Sequence, residues 1–254
     1  MKIALFSDIH ANLPALEAVM DDISARAPDA IYCLGDLVGY ATWPNEVTEF
    51  IRERGIPAIA GNYDQGVGLN SDDCGCAYQT EEDKARGAAS IAYTNKVIRD
   101  ENRAYLNSLP AHLRLEFGVN GDPWNLLLVH GSPRKINEYL FEDRKDKSLL
   151  RMMKGSNAQV MAFGHTHKPY HKILEDEDGS YRHALNIGSV GKPKDGDPRA
   201  CYVMLEWDGE LNLKNPDSLQ VAFIRVDYEV EKAAQAIEES PLPNPFADML
   251  RKGG

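Results

Sequence analysis

Five short apolar runs in this chain end alike. Leu5-Phe6-Ser7 leads into Asp8-Ile9-His10, Tyr32-Cys33-Leu34-Gly35 into Asp36, Ala58-Ile59-Ala60-Gly61 into Asn62-Tyr63-Asp64, Leu127-Leu128-Val129 into His130, and Met161-Ala162-Phe163-Gly164 into His165-Thr166-His167. Such runs read as buried strands, and in open α/β sheets ligands bind beyond the carboxyl ends of the strands. A fold that accommodates all of them must gather imidazoles, carboxylates and one carboxamide at a single sheet edge. Taken singly the fragments say little. Asp-x-His after a strand is ordinary turn chemistry, Asp36 can be a cap, and His130 can be a satisfied core histidine. Their joint occurrence at strand ends points to a metal site. Gly35, Gly61 and Gly164 each precede a candidate ligand, where unusual dihedrals and close backbone approach are expected of them.

The remaining signals agree with an α/β chain. Ile3 to Phe6 reads as a first strand and Leu13 to Arg26 as a helix, with Asn12 as N-cap and Pro14 in the first turn. Ala30 to Leu34 is a second strand, Pro44 to Arg54 a second helix and Pro57 to Ala60 a third strand. This alternation argues for βαβ units and a parallel sheet. Residues 66–110 break the rhythm. Gly66 to Asp73 reads as a turn-rich loop, followed by helices at Gln79 to Arg99 and Ala104 to Leu109. We read this stretch as a helical insertion that caps the site or contacts another subunit. Beyond Pro110, strands are expected at His112 to Val119, Trp124 to Val129 and Val160 to Phe163, with more between Tyr170 and Val226. Asp143 to Met153 and Glu229 to Glu239 read as helices, and the Pro-rich tail as loose. A length of 254 residues suits one large α/β domain over 1–254, built as two packed sheets with helices outside.

The apolar N-terminal run is too short for a signal peptide or a membrane span, and Asp8 and His10 follow it at once. The expectation is a cytoplasmic protein without membrane contact. A net charge of −11 opposes long nucleic acids, whose affinity rests on Lys and Arg neutralising phosphates. A small phosphorylated substrate can still bind where metal ions make the local site positive. Cys33 and Cys201 lie in apolar runs and are expected as buried thiols. Cys74 and Cys76 read as ordinary thiols at a loop–helix junction, with approach to the metals or redox sensing as the alternative. Arg134 and Lys135, just after His130-Gly131, are either phosphate contacts or solvated. His112, His171 and His183 lie within strand-like segments and read as structural.

Imidazole nitrogen together with carboxylate oxygen suits manganese, iron, cobalt, nickel or zinc better than calcium. One carboxylate between two others can bridge a pair of ions about 3.5–4 Å apart.

In order and spacing, Asp8-x-His10, Gly35-Asp36, Gly61-Asn62-x-Asp64, His130-Gly131 and Gly164-His165-x-His167 resemble the calcineurin-like metallophosphoesterases. The run from Asn186 to Pro193, then Asp195 to Ala200, looks like the small bacterial and archaeal phosphodiesterase branch, similar to the diadenosine tetraphosphate hydrolase-like members. The resemblance implies a four-layer αββα sandwich of two packed mixed β-sheets. It implies that Asp8, His10 and His167 hold one divalent ion, that Asn62, His130 and His165 hold a second, and that Asp36 bridges them. Manganese is the first choice, with iron, zinc, nickel, cobalt or magnesium as alternatives. The implied activity is hydrolysis of a small phosphodiester or phosphoanhydride, nucleotides included, by a metal-activated hydroxide. A phosphomonoesterase, a short-strand nuclease and a non-catalytic scaffold such as the retromer subunit of this fold are the alternatives. A homodimer through residues 66–110 is a further expectation.

Asp36 and Asn62 enter the implied catalytic set together with Tyr63 and Asp64. Asp64 is expected to orient His130 or another ligand from behind, or else to cap the next segment. Tyr63 departs from the family pattern, since many members carry His there, taken to protonate the leaving group or steady the phosphoryl group. A phenol with a pKa of about 10 protonates an alkoxide poorly. Either the enzyme favours leaving groups that need little protonation, or Tyr63 is a packing residue.

Overall fold

A computed structural model describes residues 1–78, 80–118 and 123–254. The alternation of β1 (Lys2–Phe6) decides the layering. Ile3 and Leu5 pack with Leu126 and Leu128 of β4 (Trp124–Val129) and with Val160 and Ala162 of β5 (Val160–Phe163). Ala4 and Phe6 point the other way, onto Leu16, Val19 and Ile23 of α1 (Leu13–Arg26). That helix starts where Asn12 accepts a hydrogen bond from Ala15 N at 3.3 Å, and Pro14 falls where no intrahelical N–H is needed. Its buried residues recur every three or four positions, as one face of a helix requires.

One sheet runs β2 (Ala30–Cys33), β1, β8 (Ala200–Glu206), β9 (Gln220–Val226), with β1 and β2 parallel and the other pairs antiparallel. The other runs β3 (His112–Phe117), β4, β5, β7 (Tyr181–Asn186), β6 (Tyr170–Glu175). Here β4, β5 and β7 are parallel, and the two edge strands are antiparallel to their neighbours. Their inner faces meet through Leu128, Leu185, Val203 and Leu205. The outer face of the second sheet is covered by Leu149, Met152 and Met153 of α6 (Asp146–Gly155). The result is the expected four-layer αββα sandwich. Its core is exacting: Leu128 is fully buried, and truncation to alanine there is expected to cost about 2–5 kcal/mol.

The structure corrects three readings. Pro57 to Ala60 makes a single bridge, Ala58 to Cys33, instead of a strand. Pro57 has no N–H to extend a ladder, and Ala60 N donates to Pro110 O at 2.8 Å. The chain then enters α3 (Asn62–Gly68), so Gly66 to Gly68 are helical and do not open a loop. Helices α4 (Glu81–Val97) and α5 (Asp100–Ser108) follow. They dock on α2 (Pro44–Glu53) through Asn45, which donates to Val97 O at 2.9 Å and accepts from Arg99 N at 2.8 Å. The tail is also ordered: α8 (Pro245–Lys252) packs Phe246 and Leu250 against Ala234 and Ile237 of α7 (Val230–Glu238). Gln79 and Val119, at the ends of two expected elements, lie outside the described residues. Among the described residues no helix is long and apolar enough to cross a membrane.

Candidate metal centre

Asp8 and His10 follow β1, Asp36 follows β2, His130 follows β4, and His165 and His167 follow β5, while Asn62 opens α3. The carboxyl ends of these strands meet at one edge of the sandwich. Asp8 Oδ1 lies 3.2 Å from His167 Nε2, 3.8 Å from His10 Nε2 and 4.0 Å from His130 Nε2. Asp36 Oδ2 lies 3.6 Å from His10 Nε2 and 3.3 Å from His130 Nε2. Asn62 Oδ1 is 3.2 Å from His130 Nε2. Two buried groups result, Asp8 with His10 and His167, and Asp36 with His130 and His165. Asp36 Oδ2 faces a histidine of each.

The backbone that delivers these ligands is strained. Asp8, His10, Asp36, His165 and His167 have φ of 54°, 50°, 53°, 66° and 60°. This left-handed region costs a non-glycine residue about 1–2 kcal/mol and persists where the surroundings fix it. Here Asp8 N donates to Gly35 O, and His10 N to Asp36 O, both at 2.9 Å. The preceding glycines meet the expectation in different ways. Gly35 alone among the three has positive φ, whereas Gly61 and Gly164 supply room. A Cβ at Gly61 would collide with the Asp36 carboxylate, and one at Gly164 with the side chains of Asp8 and Ser7.

The hydrogen bonds leave lone pairs facing lone pairs. Nδ1 of His10, His130 and His167 meets Val38 O at 3.0 Å, Leu34 O at 2.8 Å and Lys192 O at 2.5 Å. A carbonyl accepts only, so each Nδ1 carries a proton, and in the neutral ring each Nε2 is a bare acceptor. His10 Nε2 and His167 Nε2 then face each other at 3.2 Å. His130 Nε2 faces two further acceptors, Asn62 Oδ1 and Asp36 Oδ2. The Asn62 amide is turned this way because its Nδ2 donates to Cys74 O at 3.0 Å and to Cys76 Sγ at 3.2 Å. Asp8 Oδ2 is committed to Ser7 Oγ at 2.5 Å and His165 N at 3.1 Å, and Asp36 Oδ1 to Tyr63 N at 2.9 Å. Asp8 Oδ1 and His165 Nε2 are buried with no protein partner. Such an arrangement is unfavourable unless cations lie among the acceptors, and the nitrogen–oxygen donor set fits divalent transition-metal ions.

Electrostatics agree. Burial holds His10 and His165 down at about 3 and lowers His167 as well, which keeps these imidazoles neutral as ligands must be. Burial also opposes a proton on His130, but the adjacent Asp36 carboxylate outweighs it and pushes this group up to about 10. A positive charge is favoured at that spot, whether proton or metal ion.

Beyond the ligands, a cavity of about 90 Å³ is lined by Tyr40, Tyr63, Cys76, Tyr78, Tyr139 and Lys194. Tyr63 is fully buried. Its ring lies edge-on to His10 at 5.5 Å and 4.8 Å from Tyr40, and its hydroxyl is 3.4 Å from Tyr78 Oη. Burial pushes its phenol well above the usual value. Asp64 caps α3, the second of its two expected roles, and does not orient His130. Its Oδ1 accepts from Leu37 N and its Oδ2 from Gly61 N, both at 2.9 Å. It ties the backbone after Asp36 to the start of α3, and so positions Asp36 and Asn62 relative to each other. Of the two cysteines, Cys76 holds the Asn62 amide through its sulfur and Cys74 through its backbone carbonyl, with the sulfurs 3.1 Å apart. Arg134 is exposed and pairs with Glu138 at 3.1 Å, and Lys135 is exposed; neither lines the cavity. His171 and His183 pair with each other at 3.0 Å on β6 and β7, apart from the ligands.

Tyr40, Tyr78, Tyr139, Lys192 and Lys194 escaped the sequence reading. Tyr139 lays its ring 4.1 Å from that of His165. A signal for the lysines existed: β7 is parallel to β5, so the loop after Asn186 opens on the same edge.

Residues 1–210 match the calcineurin-like phosphoesterase superfamily domain. The chain is 36% identical to the MJ0912 protein of Methanocaldococcus jannaschii, over 99% of this chain and 98% of that one. It is 31% identical to a solved metallophosphoesterase from Sphaerobacter thermophilus, covering 100% of this chain and 99% of the other with a TM-score of 0.72. The solved protein PH1004 of Pyrococcus horikoshii shares the fold at 24% identity, with a TM-score of 0.80 over 100% and 98% of the two chains. The chain belongs to the calcineurin-like phosphoesterase superfamily.

Proposed function

We propose that this protein is a dinuclear metal-dependent phosphoesterase that hydrolyses a small phosphodiester or phosphoanhydride, nucleotides among them, in the cytoplasm. One observation carries the reading: buried acceptors face one another in two groups, with Asp36 Oδ2 between them. Asp8, His10 and His167 would hold one ion, Asn62, His130 and His165 the other, and Asp36 both. When bound, two divalent ions make hydroxide available near neutral pH and stabilise charge on the phosphoryl oxygens. Manganese is the first candidate, ahead of iron, zinc, nickel, cobalt and magnesium.

The protein's own contribution is orientation. The carbonyls of Val38, Leu34 and Lys192 fix three imidazole tautomers, and Asp64 fixes the spacing of Asp36 and Asn62. Burial raises the Tyr63 phenol above its usual value, which makes it a weaker acid and a poorer proton donor to a leaving group. Leaving groups that need little protonation, such as phosphoanhydrides, nucleotide phosphates and aryl esters, are therefore favoured over alkyl esters. The cavity of about 90 Å³ is far below the roughly 300–1,000 Å³ that encloses a whole small-molecule ligand. It admits a phosphoryl group and leaves the rest of the substrate at the mouth.

The test is turnover by metal-stripped protein after adding manganese, nickel, zinc or magnesium. Bis(4-nitrophenyl) phosphate and 4-nitrophenyl phosphate are offered side by side, with Asp36→Ala as control. Metal-dependent hydrolysis that Asp36→Ala abolishes is expected. Binding of two ions with no turnover of either ester would replace the enzyme with a metal-binding scaffold.

A further inference from the structure

The loop between β7 and β8 is fastened to the metal ligands. Val190 N donates to Ser7 O and Gly191 N to Asp8 O, both at 3.0 Å, and Ser189 Oγ donates to Asp8 O at 2.8 Å. His167 Nδ1 donates to Lys192 O at 2.5 Å, and Lys194 N approaches His167 O at 3.4 Å. Gly191 packs on the Ile9 carbonyl so closely that a Cβ there would collide with it. The backbone of both lysines is thus set by the same residues that set the ligands.

Lys194 reaches the centre, and Lys192 packs behind Tyr40. Lys194 lines the cavity alongside His10, Asp36, His165 and His167. Lys192 is only 6% exposed, and its Nζ lies 4.7 Å from the ring centroid of Tyr40, whose edge meets His10 at 4.8 Å. Among the described residues, neither ammonium has a carboxylate within 4.0 Å. The more exposed Lys154 and Lys172 do, with Asp176 and Asp146 at 2.7 Å. A buried cation without a counter-charge is costly. Asp8 and Asp36, the carboxylates that act on Lys194, already point their free oxygens at the imidazoles. An anion arriving from solvent would offset that cost.

We infer that Lys194, lining the cavity, and Lys192, behind Tyr40, make an anion subsite beside the metal centre for a terminal substrate phosphate carrying two negative charges. The inference rests on the phosphoesterase reading and narrows it. A dianionic terminal phosphate belongs to a phosphoanhydride or a monoester, whereas an internal phosphodiester brings one charge. Lys194 bears on the phosphoryl group inside the cavity. Lys192, behind Tyr40, supplies the second positive charge that a monoanion leaves unused.

The experiment measures the dissociation constant of inorganic phosphate by calorimetry, with ions stripped and restored, and counts bound ions by mass spectrometry. Lys194→Gln should weaken phosphate binding about 10- to 100-fold, the size of one charge-assisted hydrogen bond, and Lys192→Gln by a smaller factor, with the ion count unchanged in both. Lys194→Arg should restore most of the affinity. In turnover, Lys192→Gln should raise KM for 4-nitrophenyl phosphate and inorganic pyrophosphate by a larger factor than KM for bis(4-nitrophenyl) phosphate. Whichever of the first two turns over faster separates monoester from anhydride. Unchanged phosphate affinity in both glutamine variants overturns the subsite, even with two ions bound and activity intact. Loss of ions in a glutamine variant, without rescue by arginine, marks that lysine as structural and overturns it too. Lysine-dependent phosphate binding by a wild type that takes up no ions would keep the subsite and sink the metal reading instead.

Discussion

The two halves of the metal centre are supported by different kinds of structure. Around Asp8, His10 and His167, every support comes from the segments that follow strands: Val38 O, Lys192 O, Ser7 Oγ and His165 N. On the other side His130 is held the same way, by Leu34 O. Asn62 is not. It sits on a helix, and its amide is turned by Cys74 and Cys76 in a loop that belongs to neither sheet. Strand ends inherit their positions from cores packed on both faces, with Ile3, Ala4, Leu5 and Phe6 fully buried. The loop carries exposed Asp72, Asp73 and Gly75. Preorganisation is therefore unequal, and the ion at Asp8, His10 and His167 should bind more tightly than the one that depends on Asn62.

The largest effect is expected where the comparison collapses. Asp36 Oδ2 serves both halves, so Asp36→Ala should release both ions and lower turnover by on the order of 10³-fold, read by ion counting and ester hydrolysis. Retention of both ions at full affinity would show that Asp36 does not bridge. Next, Asn62→Ala should weaken one ion about 100-fold and spare the other, while His167→Ala does the reverse. A two-phase chelator titration resolves this, and simultaneous loss of both ions in either variant would deny the halves any independence. Asp64→Ala strips partners from two buried N–H groups and should cost about 2–3 kcal/mol in urea unfolding of the stripped protein. An unchanged midpoint would remove Asp64 from the framework. Cys76→Ala leaves Asn62 one of its two partners. It should weaken the second ion by about 10-fold with the first untouched, and an equal loss at both would contradict the assignment of that loop to one half.

The smallest effect concerns histidines that meet with no carboxylate between them. Burial pushes His171 and His183 down to about 4, against about 6.5 in the unfolded chain. The unfolded state binds more protons between those values. Their contribution to stability is therefore complete above about pH 6.5 and lost as the pH falls toward 4. His171→Phe should flatten that part of the pH profile of urea unfolding without moving either ion affinity. A slope that survives the substitution would assign the acid sensitivity elsewhere.

Much of this molecule was legible in its sequence because the relevant patterns are local. Alternation in Ile3 to Phe6, helical spacing from Leu13 and the turn chemistry after each run are set within a few residues, so β1, α1, β4 and β5 fall where periodicity puts them. The ligand types at strand ends were readable for the same reason, and their order carried the family. What tertiary structure alone decided involves partners far apart in the chain. Asp8 meets His165 and Ser189 across separations of 157 and 181 residues, and those contacts hold the ligands in left-handed backbone that local propensity disfavours. Asn62 gets its orientation from a cysteine loop, Asp64 joins two ligand segments without touching His130, and α8 orders the tail through packing on α7. Nothing local marks Lys192 and Lys194, in a Gly- and Pro-rich run, as site residues. Only the fastening of their loop to Asp8 and His167 placed them beside the centre, because burial and the charge that would offset it are properties of the assembled edge, not of any segment.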